Sequence, residues 1–402
     1  MLRLADRIDP IFALRNKRVI AAVLRSDRRN LEEVEVGDAA VHLHEAVQWL
    51  FRAQDAGGGL GVSHSFNLFK GWEKPYPETT GYIIPTLWDW AAAAGSLEAG
   101  RRAETMSEWL VRIQHPDGWF CAGVWDERRT PAPSVFNSAQ VVFGLVRSYR
   151  ETARATFRDA AVRAARWLCA RQEADGSWRR FVYRGSVHAY EVRVAWACLL
   201  LRELDSGADY EGAARRNLDF SAALQEANGW WRHAAFGPGG PSFLHTIAYT
   251  VEGILESGVL LGEPRYVEAA RRTADVLLRL QQSDGSLAGA FDRQWRGAAY
   301  RCLTGIAQTA VIWARLHQLT GEGRYADAAL RANRYLKACQ RLHWGIPELR
   351  GALAGSRPCW GRYMAMRFPN WAAKFFADAL LAEAKLAALD LRRAVLAGTS
   401  SP

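Results

Sequence analysis

Six times along the chain an apolar helical stretch closes on a glutamine, and most of these glutamines run straight into an Asp-Gly or Asn-Gly turn. The markers are Gln54, Gln114, Gln172, Gln225, Gln281 and Gln340, between 53 and 60 residues apart. Self-similarity with a fixed long period means one supersecondary unit repeated, each burying its apolar face against its neighbours. That constraint removes nearly every architecture except a helical array.

Each unit reads as a hairpin. An amphipathic helix ends at the glutamine, a turn and a loop of variable length follow, and a second helix, apolar nearly all round, closes the repeat. These second helices begin near Thr79, Val135, His188, Leu244, Leu303 and Asn370. A helix without a polar face belongs inside, so the second set is expected to be inner and the first outer. Long irregular loops and Trp-rich inner helices favour a closed ring over an open solenoid with short uniform turns. The expected fold is all-α, a single (α/α)6 toroid over residues 36–395. A basic helical extension (1–35) precedes it and a disordered tail (396–402) follows.

No continuous apolar segment reads as a signal peptide or a membrane span. The six cysteines are scattered with no CxxC pair, which fits core thiols and a reducing, cytoplasmic setting. Neither a metal nor another cofactor is expected, because clustered Cys/His at ligand spacing is missing. The net charge of +10 is partly solvated outer-helix arginine. The remainder sits in loops that should rim one mouth of the ring, interleaved with aromatics, a mixture suited to an anionic ligand whose rings can stack. No nucleic-acid module is present, and nucleic acid is not an expected partner. A minor reading gives the basic N-terminal segment weak contact with an anionic membrane surface.

Because inner helices start at the mouth, their first turns should aim polar groups into the funnel, where unpaired backbone N–H groups also favour anions. The candidate catalytic residues are His245 with Tyr249, His188 oriented by Glu191, and Glu78 with Tyr82; spacings of three and four put each pair on one helical face. Candidate substrate-binding residues are Asn137, Gln140, Tyr190, Trp231, Trp295, Arg296, Arg301, Gln308, Arg362, Asn370, Trp371 and Lys374. Thr79, Asn137, Ser242 and Asn370 also read as ordinary N-caps. Glu252 is expected either as the pocket floor or as a buried carboxylate bonded to Tyr or Trp.

The repeat signature RQEADGSW resembles that of the squalene-cyclase and prenyltransferase toroids, though no DxDD acid motif is present. The runs PYPETTGYIIPTL, HTIAYTVEGILESG, CLTGIAQTAVIW and PNWAAKFFADALL resemble a group of toroidal proteins associated with bacterial exopolysaccharide and lipopolysaccharide biosynthesis. That resemblance implies a carbohydrate context. The leading expectation is an enzyme acting on an anionic, uronate-containing glycan by lyase- or C5-epimerase-type proton abstraction. In it Arg296, Arg301 and Asn137 hold the sugar carboxylate and His245 or Tyr249 takes the proton. The alternatives are a six-hairpin glycoside hydrolase, an isoprenoid enzyme, and a glycan-binding protein without turnover.

Overall fold

A computed structural model describes residues 10–28, 31, 34–237, 239–342 and 346–398. The outer helices are α3 (Ala39–Ala56), α5 (Leu97–Ile113), α7 (Ala155–Cys169), α9 (Tyr210–Ala222), α11 (Pro264–Leu280) and α13 (Gly323–Cys339). The inner ones are α4 (Pro77–Ala94), α6 (Val135–Thr152), α8 (Val192–Leu199), α10 (Leu244–Leu261), α12 (Leu303–Thr320) and α14 (Asn370–Gly398). Each inner helix packs on the next, and α14 packs back on α3 and α4, so the array is a closed (α/α)6 ring.

The division into layers follows from which faces are apolar. Helix α11 buries only Tyr266, Ala269, Ala270, Thr273, Ala274, Val276 and Leu277, a single stripe, whereas α10 buries residues on every side. Fully buried Trp313, Phe375 and Phe376 each contribute about 1.5–3 kcal/mol by leaving water. Inner helices approach closely where both lack a side chain: a Cβ on Gly144 would stand 2.3 Å from the carbonyl oxygen of Gly81.

The glutamine markers have a physical reason. Gln281 Nε2 donates to its own turn at Gly285 O (3.2 Å) and to Ala328 O of the next outer helix (2.9 Å), while its Oε1 accepts from Arg331 of that helix. Gln114 and Gln172 repeat this with Ala160/Arg163 and Ala213/Arg216. Gln340 completes the circle by donating to His42 O of α3 (3.0 Å) and pairing with the His42 ring (2.6 Å). A carboxamide is required, since one side chain must both donate to carbonyls and accept from a cation.

After five of the six markers a glycine, Gly118, Gly176, Gly229, Gly285 or Gly351, lies against a backbone carbonyl of the next outer helix. Gly285 has φ +88° and its Cβ would lie 2.1 Å from Arg331 O, whereas Gly58, at φ +80°, faces open space. Gly58→Ala is expected to cost about 1 kcal/mol for the backbone alone. Gly285→Ala adds overpacking of about 1–3 kcal/mol. Paired urea denaturation of the two variants reads the difference; equal losses would refute the packing account.

The ends of the ring are joined by a sheet. Strand β1 (Ser65–Asn67) pairs antiparallel with β2 (Gly71–Trp72) on one side. On the other it pairs with β9 (Arg367–Pro369), Phe66 opposite Phe368. Two-residue strands pair as β3 (Phe120–Cys121) with β4 (Pro133–Ser134), β5 (Ser242–Phe243) with β6 (Ala290–Phe291), and β7 (Arg301–Cys302) with β8 (Ser356–Arg357); β4, β5 and β7 lead into α6, α10 and α12. The extension forms α1 (Pro10–Arg15) and α2 (Lys17–Ser26). Asp27 anchors it by bonding Arg341 Nη2 (2.6 Å) and the Cys359 amide. Phe12 meets Phe66 edge-on. The first nine residues and residues 399–402 of the expected tail lie outside the described residues. Among the described residues no helix is long and apolar enough to cross a membrane.

The third inner helix corrects the expectation. A 3-10 turn occupies Ala189–Glu191 and the α-helix runs only from Val192 to Leu199. His188 therefore sits in extended chain before the turn.

Candidate active site

At the N-terminal ends of the inner helices, Glu78, Tyr82, His245 and Tyr249 converge on the ring axis together with Tyr76, Arg193 and Tyr363. Pro77 at the first helical position of α4 fixes the chain so that Glu78 lies in the first turn. The Tyr76 hydroxyl donates to Glu78 Oε2. The carboxyl is buried, and burial raises its pKa to about 7 against the opposing pull of the Tyr76 hydrogen bond and the Arg193 charge. Across the axis the Tyr249 hydroxyl meets that of Tyr82 at 3.3 Å. His245 packs on the Tyr249 ring with centroids 4.2 Å apart.

His245 Nδ1 bonds Gln308 Oε1 at 2.8 Å, which leaves Nε2 as the lone-pair nitrogen. Burial pushes this imidazole down to about 3, so it is neutral and weakly basic. Burial likewise raises the phenols of Tyr76, Tyr82, Tyr249 and Tyr363 above their ordinary value. At neutral pH the centre thus consists of protonated hydroxyls, a poor base, and one carboxyl near its midpoint.

Arg193 is the residue that first-turn reasoning missed. It is buried inside the ring, its Nε donating to Gln140 Oε1 (2.9 Å) and its Nη1 to Glu252, with its guanidinium 4.7 Å from the Tyr249 ring. Glu252 is accordingly a buried carboxylate whose partner is Arg193, not Tyr or Trp. The sequence signal was one arginine in the otherwise apolar run VRVAWACL. His64 was also missed: it pairs with Glu73 (2.9 Å) and stands edge-on to Trp371 at 4.8 Å.

Several other expected residues lie around this centre. Asn137 donates to Cys121 O and contacts Tyr76, while the true cap of α6 is Ser134. Asn370 donates to Ser63 O and Thr79 Oγ1, sealing the seam between last and first hairpins. Trp371 Nε1 donates to the Tyr363 hydroxyl (2.8 Å), and Lys374 pairs with Asp378 beside the Tyr82 ring. Buried Gln140 Nε2, Gln308 Nε2, Thr304 Oγ1, Asn370 Oδ1 and Glu191 Oε2 find no protein partner. Such atoms, gathered at the starts of inner helices, are where a polar ligand or water is bound.

Other expected roles are corrected. His188 is not oriented by the Glu191 side chain: its ring nitrogens bond Tyr183 O (2.9 Å) and Ala235 O (3.1 Å), and its ring stacks on Tyr190. Glu191 is fully buried, which raises its pKa well above the usual range. Trp231 is a core residue, 1% exposed, with its indole bonded to Thr273. Arg296 is not at the centre; its side chain is 79% exposed and paired with Asp292. Arg301 turns to Ser286 Oγ (3.0 Å) and Ala299 O. Trp295 caps a rim turn through Asn228 O, and Arg362 is exposed on the rim.

A cavity of about 1280 Å³ lies beside the centre, not over Glu78. It is walled by His188, Trp230, Arg232, Ser242, Asp292 and neighbouring rim residues. A line of rings, His188–Tyr190–Phe136–Tyr249 at centroid spacings of 4.6, 5.2 and 5.4 Å, separates cavity from centre. Among the described residues no three His, Cys, Asp or Glu side chains group as ligands for a cation.

No protein-family model matches the chain. A search of curated proteins finds no match either. Solved structures do match. An unsaturated glucuronyl hydrolase specific for heparin is similar with a TM-score of 0.70 at 16% identity, covering 87% of this chain and 98% of that one. An unsaturated glucuronyl hydrolase from Bacillus sp. GL1, responsible for glycosaminoglycan degradation, is similar at 0.67 and 16%, covering 86% and 96%. A sugar epimerase from a ruminal bacterium is similar at 0.64 and 13%, covering 85% and 97%. What the chain shares with these carbohydrate enzymes, along nearly their whole length, is the six-hairpin toroid.

Proposed function

We propose that the protein is a hydrolase of anionic saccharides that end in a 4,5-unsaturated uronyl residue, with Glu78 as the proton donor. The observation carrying this reading is the electrostatic character of the centre: one carboxyl poised at about 7 among protonated phenols and an imidazole too weakly basic to hold a proton. Abstraction of a C5 proton, as a lyase or epimerase requires, needs a base. His245 at about 3 and phenols raised above their usual range are unsuited to that task, so the one group able to take it is Glu78 itself, and the direction of its pH profile separates base from donor. Hydrolysis by two facing carboxylates is disfavoured because Glu252 is committed to Arg193, and burial keeps Glu191 protonated.

An unsaturated uronyl residue asks for less. Its C4=C5 bond is an enol ether, since C5 carries the ring oxygen. The Glu78 carboxyl protonates C4, leaving an oxocarbenium at C5; water adds there and returns a proton to Glu78. The resulting hemiketal opens, and collapse at C1 releases the rest of the saccharide. In this reading Tyr249 and Tyr82 donate hydrogen bonds to the substrate carboxylate or ring oxygen. The fold shared with glucuronyl hydrolases supports the reading by analogy alone.

Incubation with unsaturated uronyl disaccharides should bleach the ultraviolet absorbance of the conjugated double bond and release a reducing sugar. Absorbance that stays constant, with deuterium entering C5 of a saturated uronate instead, would replace hydrolysis by epimerisation. Binding without either signal would leave a glycan-binding protein.

A further inference from the structure

The rim cavity is larger than the roughly 300–1,000 Å³ of a small-ligand pocket, and its walls are built for more than one sugar. Trp230 lines it and is backed by Trp295, which it meets edge to face at 5.3 Å. His233 and Trp295 both hold φ of +61°, a conformation that bulky side chains adopt only when their surroundings impose it, and one that gathers at ligand sites. The Ala189 amide pins His233 O at 3.0 Å, and Trp295 is fixed by its amide to Asp292 O and its indole to Asn228 O.

The charges divide into two sets. Arg179, Arg293 and Arg296 are neutralised by Asp175, Glu226 and Asp292, at 2.6, 2.8 and 2.7 Å. Arg232 is different: its Nη2 donates to Ala223 O at 2.8 Å, and among the described residues no carboxylate pairs with it. A guanidinium with free donors beside an aromatic wall binds an oxyanion on a ring that stacks.

We propose that this cavity is a binding site for an acidic oligosaccharide, with Arg232 recognising a carboxylate or sulfate on it. The inference does not depend on the Glu78 reading, because the line of rings from His188 to Tyr249 parts this cavity from the centre. The binding itself stands apart from catalysis.

Calorimetry with saturated tetragalacturonate and with neutral cellotetraose separates the two. The full-length protein is expected to bind the acidic tetramer with an affinity that falls as salt is raised, and to bind the neutral one more weakly. Arg232→Gln should weaken the acidic ligand by about five-fold and leave the neutral one unchanged, with Arg232→Lys intermediate and thermal midpoints unaltered. Glu78→Gln should bind the acidic tetramer as the unaltered protein does, so loss of turnover there does not touch this proposal. Equal affinity for both tetramers, no binding of either, or an Arg232→Gln protein that binds tetragalacturonate normally would overturn it.

Discussion

Glu78→Gln is expected to lower kcat on an unsaturated uronyl disaccharide by about a thousandfold, the middle of the range for loss of a positioned general acid, while leaving the protein folded. The unaltered enzyme should show the matching pH dependence. The active form carries the proton, and the carboxyl sits at about 7, so kcat/KM is flat at lower pH and falls through a single ionisation as pH rises past 7. A profile rising with pH would make Glu78 a base and sink the donor role.

The same shift bears on stability. The folded pKa of about 7 stands above the ordinary 4.5, so the folded state holds a proton that the unfolded chain has released. That contribution is fully present below 4.5 and is lost as pH climbs through 7, at 1.36 kcal/mol per pKa unit, or about 3 kcal/mol in all. Gln cannot ionise. Glu78→Gln should therefore gain stability over the unaltered protein between mildly acidic and alkaline pH, read as denaturant midpoints near pH 4.5 and above pH 7. Inactivation accompanied by stabilisation is what a group held against its own solvation for catalysis produces; equal stability differences at both pH values would mean that Glu78 is not buried as described.

The toroid was legible because its repeat marker is structural. Each glutamine clasps the next outer helix, so the period of the motif is the period of the ring, and Gln340 reaching His42 closes it. Starts of five inner helices could be read from their apolar runs. The third could not, because HAYEVRVAWACLLL is equally apolar whether its first residues form a 3-10 turn or an α-helix. At the site, helical spacing alone gathered Glu78, Tyr82, His245 and Tyr249. Rim assignments failed where the deciding fact was a partner: Arg296 is quenched by Asp292 four residues earlier, a pairing that the run DRQWR already displays. Trp231 aligns with Trp178 once NGWW is set on DGSW, and both are core tryptophans, so repeat register would have separated Trp231 from its neighbour Trp230. Arg193 was passed over because an arginine amid Val, Ala and Trp looks like an interruption until Gln140 and Glu252 arrive from α6 and α10.

Arg193 is where the second large effect is expected. Arg193→Met removes the cation from Glu252, whose side chain is only 12% exposed, and breaking a buried pair in this way costs about 3–5 kcal/mol. Gln140 Oε1 loses its donor as well, adding about 1 kcal/mol. Adding Glu252→Gln removes the stranded charge, so the double variant should recover most of the loss although it lacks both ionic groups; urea denaturation of the two proteins measures it. A second consequence separates this account from a merely structural one. The Arg193 charge holds the Glu78 carboxyl below where burial alone would put it, so in the double variant the alkaline fall of kcat/KM should move to higher pH. Arg193→Lys keeps a positive charge but cannot reach Gln140 and Glu252 together with a planar fork, so its pH profile should shift less than its stability. A double variant no more stable than Arg193→Met, or a pH profile that stays in place when the charge is removed, would show that Arg193 neither balances Glu252 nor tunes Glu78.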